Sequence, residues 1–266
     1  MEIQLSSIIS KLLADYFVLY PDWRQLPIEV IVSFNLSKSH LELRPDLAER
    51  LKKEKIESED DSNGRMVPPH RVGEPMSILL NGEHIVRLTE DKTMAWVGTL
   101  AHEITHAIDY HQMALRENLD CYDPLLEARD YLMFQMWSEF HARRQGYTFL
   151  RDFFKLDEDD STKNDRVEYV VKTELPLKIK HFFADYHDTD NAVLQINFTM
   201  QFLGRFSVWC DLFPETFNNS FIRAVFEANP WLYTIYSFLK QNTAFDDVYP
   251  KLNEMRQILL SNWSGI

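Results

Sequence analysis

Apolar positions recur at helical spacing over residues 4–20 (Leu5, Ile8, Ile9, Leu12, Leu13 and Tyr16), and the pattern stops near Pro21, which predicts a first helix. After Pro27 the run Ile28-Glu29-Val30-Ile31-Val32-Ser33-Phe34 is short and β-branched, so it reads as a strand. Residues 41–61 are charge-dense and predict a surface helix, and the breakers of Asp60 to Pro69 predict a loop. Ser77–Leu80 and His84–Leu88 flank Asn81-Gly82, a dipeptide that tolerates the positive φ angles of tight turns; this predicts a hairpin.

Helical spacing returns from Lys92 to about Arg116, with Thr89 or Asp91 as the expected N-cap. Asn118 to Pro124 interrupts it. Pro124 suits the first position of a further helix, expected to run to about Arg144 and stop at Gly146. Residues 157–165 are polar and acidic and read as a solvated connection. Beyond them, aromatic-rich segments separated by Pro176, Pro214, Pro230 and Pro250 predict several more helices, and no internal repeat is visible. The expected class is α+β: a small mixed sheet and a motif-bearing helix in residues 1–156, then a mostly helical region, 166–266, packed on it.

Composition narrows the picture. With 266 residues and 45% hydrophobic content, the chain can bury a real core, and only 7 Gly argue against a barrel or sandwich rich in tight turns. A net charge of −13, with no basic patch beyond pairs such as Lys52-Lys53 and Arg143-Arg144, excludes nucleic acid as the expected partner. Cys121 and Cys210 stand far apart, so neither a disulfide framework nor a thiolate metal site is expected. The N-terminus carries no basic leader, and the apolar stretch Phe198 to Phe213 is broken by Arg205. The expectation is therefore a cytoplasmic protein with no membrane partner.

The candidate chemistry lies in His102-Glu103-Ile104-Thr105-His106, inside the helix predicted over 92–116. Residues four apart share a helix face one turn apart, so two imidazoles can converge on one ion. Glu103 is too close to His102 to share the ion in good geometry, but it can reach a water beside it. Zinc held by three protein ligands keeps a fourth position for water and lowers its pKa toward 7. A neighbouring carboxylate can then take the proton and pass it to a leaving amine. The plain alternative is a helix whose histidines are ordinary surface or core residues.

The segment His102–Ala107 resembles the thermolysin-type active-site helix, and the layout from residue 75 to 146 is similar to small gluzincin-like peptidases, including the ImmA/IrrE group. The resemblance implies a zincin-like domain whose sheet edge binds extended peptide, followed by the metal helix and a second helix giving a Glu ligand. Asp109 and Gln112 stand where the metzincin pattern needs Gly and His, so that subclass does not fit. Two residues compete as third ligand: Glu127, near the thermolysin-type separation, and Glu139. A metal helix extending ten residues past His106 advances about 15 Å, so an antiparallel return from Pro124 brings residues 134–140 level with the metal. Glu139 also shares a face with Leu132, Met136 and Arg143, where a metal would offset its desolvation, and it is favoured.

Asp109 is a candidate to orient a ligand imidazole, although the thermolysin type has its Asp one residue later; an ordinary surface carboxylate is the alternative. Tyr147, His181, Tyr186 and His187 are indistinguishable as oxyanion donors. His111 and His141 read as polar-face residues, Arg143 as a surface ion pair, and His70 as a loop residue without a partner. The Phe and Trp residues of the C-terminal half read as core. The expected function is a zinc metallopeptidase that hydrolyses peptide bonds through a metal-activated water, with His102, His106 and Glu139 as ligands, Glu103 as general base and acid, and a peptide or protein as substrate. A non-catalytic metal-binding regulatory or interaction protein is the alternative, and a fourth protein ligand from His111 or His141 would favour it.

Overall fold

The first strand forms on a β-branched run, and the helices form where apolar positions fall three and four apart. The computed structural model describes residues 2–47, 62–91, 93–153, 168–212 and 220–263. Among these, helix predominates and one three-stranded mixed sheet is present, an α+β arrangement. The chain divides into two compact units, Met1–Glu127 and Ala128–Ile266. The connection expected at 157–165 lies outside the described residues, as does most of the helix expected over 41–61.

In the first unit, α1 (Glu2–Leu19) and β1 (Ile28–Ser33) stand where the pattern puts them. Helix α2 (Leu36–Leu43) follows, with Asn35 capping it through a 2.7 Å bond from the Lys38 amide. The sheet order is β1-β3-β2, with β2 at Gly64–Val67 and β3 at Met76–Asn81. β1 pairs parallel with β3, Ile28 opposite Met76, and β2 pairs antiparallel with it, Gly64 opposite Leu80. The central strand is buried from Met76 to Leu80, which explains why all of it but Ser77 is apolar over that span. Leu36, Val67 and Leu79 form a core cluster here, with Ile31 and Leu43 packed against it.

Two local expectations are corrected. Asp60 to Pro69 is not all loop, since it contains the edge strand β2. The Asn81-Gly82 hairpin does not form: Asn81 is extended (φ −70°, ψ 111°), and its side chain caps α3 (Gly82–Glu90), accepting from the amides of Glu83 at 3.0 Å and His84 at 3.2 Å. The inward positions Gly82, Ile85 and Leu88 fall three apart, a helical spacing. Gly82 is set by packing, because a Cβ there would lie 2.8 Å from the Phe34 ring.

The helix that carries His102, Glu103 and His106, α4 (Trp96–Arg116), starts after Ala95 with no side-chain cap, and Asp91 closes α3 instead. Helix α4 packs on β2 and β3. Pro124 lies in a 3-10 turn, Asp123–Glu127, rather than opening a helix.

In the second unit, α5 (Tyr131–Phe153) runs straight through Gly146, which is buried and ends nothing. A π-turn at Val170–Glu174 leads into α6 (Leu175–His187), followed by α7 (Ala192–Leu212), α8 (Ser220–Ala228), α9 (Pro230–Gln241), α10 (Phe245–Val248) and α11 (Leu252–Leu260). Pro176 and Pro230 sit in the first turns of their helices, where a missing amide costs nothing. Helix α7 crosses α5 at Gly204, where a Cβ would lie 2.5 Å from the Phe140 carbonyl. Phe134, Trp137, Phe140 and Phe206 are fully buried, so these aromatics are core. No described helix is long and apolar enough to cross a membrane.

Candidate metal centre

One face of α4 carries the chemistry. His102 and His106 stand one turn apart, both buried, with Nε2 atoms 3.0 Å apart and rings at 89° to each other. Two imidazoles ligating one tetrahedral zinc at 2.0–2.1 Å would hold their nitrogens about 3.3 Å apart, so the observed spacing fits a shared ion. Ile104, Ala107 and Ala101 on the same helix are fully buried and anchor it in the first unit's core.

Glu103 is also buried, and its Oε2 accepts a 2.8 Å hydrogen bond from the backbone amide of Met66. The strand that supplies this amide comes close because Gly64 is bare. A Cβ at Gly64 would lie 2.9 Å from Thr99 Cγ2, 3.2 Å from Glu103 Cγ and 3.2 Å from the Leu79 carbonyl. The edge strand thus fixes the carboxylate of the motif. Sequence reasoning missed both residues because the breakers around them suggested a loop; the Gly-Arg-Met-Val run was the available signal.

Thr105 holds the other side of the helix. Its hydroxyl donates to the Ala101 carbonyl at 2.8 Å and lies 2.9 Å from the Tyr16 hydroxyl, which therefore donates to it. Burial pushes the Tyr16 phenol well above its ordinary pKa, so it stays a donor. Asp109 is completely buried, which removes the surface-carboxylate alternative. His111 is half-buried rather than on a polar face: its Nδ1 lies 2.9 Å from the Tyr122 hydroxyl, and burial lowers its pKa.

Among the described residues of the first unit, no Asp, Glu or Cys joins the two histidines in a metal-capable group. Glu127 is exposed at the end of its 3-10 turn. Glu139 belongs to the second unit, half-buried on α5 between the buried Ser138 and Phe140. Near it on α5, His141 stacks on Trp137 at 4.9 Å, and Arg143 donates to Gln201 Oε1 at 2.7 Å instead of forming a surface ion pair. Of the expected oxyanion donors, Tyr147 lies under the Arg205 guanidinium, Tyr186 stacks on Trp231, and His181 and His187 are exposed.

His70 is not partnerless. Its ring nitrogens lie 3.5 Å from Asp46 and 3.5 Å from Asp123, a second metal-capable group. Buried Arg44 already serves both carboxylates: Nη2 lies 2.8 Å from Asp46 and 2.5 Å from Asp123, and Nη1 donates to the Pro68 carbonyl at 2.9 Å. Its positive charge opposes a cation there. Comparison with protein-family models, with curated proteins and with solved structures finds no match.

Proposed function

We propose that the chain is a metal-dependent hydrolase. More particularly, it is a zincin-type zinc metallopeptidase that cuts peptide bonds in a peptide or protein substrate. The observation that carries this reading is the buried His102–His106 pair, at ligand spacing, with a buried carboxylate between them in sequence. In this reading the third donor is the carboxylate that the sequence spacing favours, Glu139, leaving one position for solvent or substrate. Bound zinc would supply Lewis acidity and bring the pKa of a coordinated water toward neutrality.

The chain's own residues perform the remaining steps. Glu103 takes a proton from the attacking water and later gives it to the departing amine. The Met66 amide binds Glu103 through Oε2 and holds the carboxylate still. Thr105 anchors the ligand helix from its buried side, and in this reading buried Asp109 accepts a hydrogen bond from a ligand imidazole. The sheet edge at β2 lies beside Glu103, where an extended peptide can add as a further strand.

Zinc-loaded Glu103→Gln protein, assayed on a mixture of fluorogenic peptides, tests the assignment. The substitution should lower turnover by about 10²–10⁴-fold while leaving the metal bound. Turnover like that of the unaltered chain would remove Glu103 from the reaction, and an inert but zinc-loaded wild type would favour a non-catalytic metal protein.

A further inference from the structure

One cluster within the second unit gathers more positive charge than the carboxylate among it neutralises. Arg143 projects from α5, Lys178 from α6 and Arg205 from α7. Gly204 makes the gathering possible, since the missing Cβ would lie 2.9 Å from Arg143 Cβ; α7 can therefore set Arg205 beside α5. The Arg205 guanidinium lies over the Tyr147 ring at 4.4 Å. The charges of these three cations act on one another, with Glu174 as the carboxylate among them.

The neighbouring cations form a contrast. Arg144 pairs with Asp211 at 2.6 Å, and Lys240 lies 3.6 Å from the same carboxylate. Among the described residues neither Arg143 nor Arg205 has such a carboxylate, and the Nε atoms of both are buried without an acceptor. A buried guanidinium N–H lacking an acceptor is costly, and forcing like charges together adds to the cost. Burial also lowers the pKa of both Arg205 and Lys178, the direction expected of cations short of counter-charge. Three cations against one carboxylate leave a surplus of two positive charges. Planar guanidinium donors match the oxygens of phosphate and carboxylate groups.

We propose that Arg143, Lys178 and Arg205 form a binding site for one small oxyanion, a phosphate or carboxylate group, between α5, α6 and α7. None of its residues is a proposed metal ligand, although Arg143 lies one turn from Glu139 on α5. Tyr147, its phenol held protonated by burial, walls the site under Arg205. Glu174 competes with the ligand for the same cations.

Calorimetric titration of the full chain with inorganic phosphate and, separately, with acetate, each at chloride-matched ionic strength, tests the proposal. Saturable binding of either anion is expected, and the anion that binds identifies the source. Arg205→Met should weaken it at least tenfold, Lys178→Met should weaken it less, and Glu174→Gln should tighten it. Lys180→Met, on the exposed side of α6, should leave it unchanged. In chloride buffer, Arg205→Met should melt no lower than the wild type, because it relieves like-charge repulsion. No saturable binding of either anion overturns the proposal, as does binding that Arg205→Met and Lys178→Met both leave intact. Should Arg205→Met fail to fold, the opposite signs expected for Lys178→Met and Glu174→Gln still decide the matter.

Discussion

The first unit holds two places where histidine meets possible metal-binding company, and they differ in every respect that governs ion binding. His102 and His106 are buried on a rigid helix, their nitrogens 3.0 Å apart. His70 is exposed, between two carboxylates at 3.5 Å that a buried arginine already pairs with. Donor atoms alone therefore do not define a metal centre. The helix pair is buried and fixed by packing, whereas the Asp46–His70–Asp123 group has a buried arginine already paired with its carboxylates. The comparison makes Arg44 a structural cation and the α4 pair the place to look for chemistry.

Breaking the α4 pair should have the largest effect. His102→Ala or His106→Ala should weaken zinc binding beyond the roughly 10–100-fold typical of losing an outer partner, as read by competition with a chelator. Next comes Gly64→Ala, which inserts a methyl group against Thr99, Glu103 and the Leu79 carbonyl. It should destabilise the protein by about 1–3 kcal/mol in urea melts and lower kcat more than it raises KM. The proton of the Met66 amide should exchange faster in this variant.

Effects at the other cluster are smaller. Asp46→Asn should cost less than about 1 kcal/mol, since Asp46 is partly solvated. Arg44 holds the Asp46 carboxyl below its usual pKa, so its contribution is complete above the unfolded value near about 4. That contribution fades as the pH falls through the depressed folded value. The stability difference between wild type and Asp46→Asn should accordingly vanish in acid melts. Smallest of all, His70→Ala should leave zinc content unchanged; a loss of zinc there would reverse the ranking of the two clusters.

Much of the fold was readable in the sequence because local pattern and tertiary role agreed. The apolar period of α1 and the β-branched run of β1 each had one physical outcome. The hairpin at Asn81-Gly82 was misread because Asn serves two functions, tolerating turn angles and capping helices, and the Phe34 ring that selects Gly82 lies far away in sequence. The edge strand β2 was hidden by flanking breakers, so the Met66 bond to Glu103 was invisible too. Within the site, spacing alone pointed to His102, Glu103 and His106. The buried state of Asp109 and the Arg44 network depended on long-range packing that no local period encodes.

The most direct check on the account is the zinc K-edge absorption spectrum of the zinc-loaded chain. It should contain two imidazole nitrogens at about 2.0–2.1 Å with the remaining ligands oxygen. A first shell containing sulfur, or one lacking the imidazole signature, would contradict the assignment of His102 and His106 as the metal's grip.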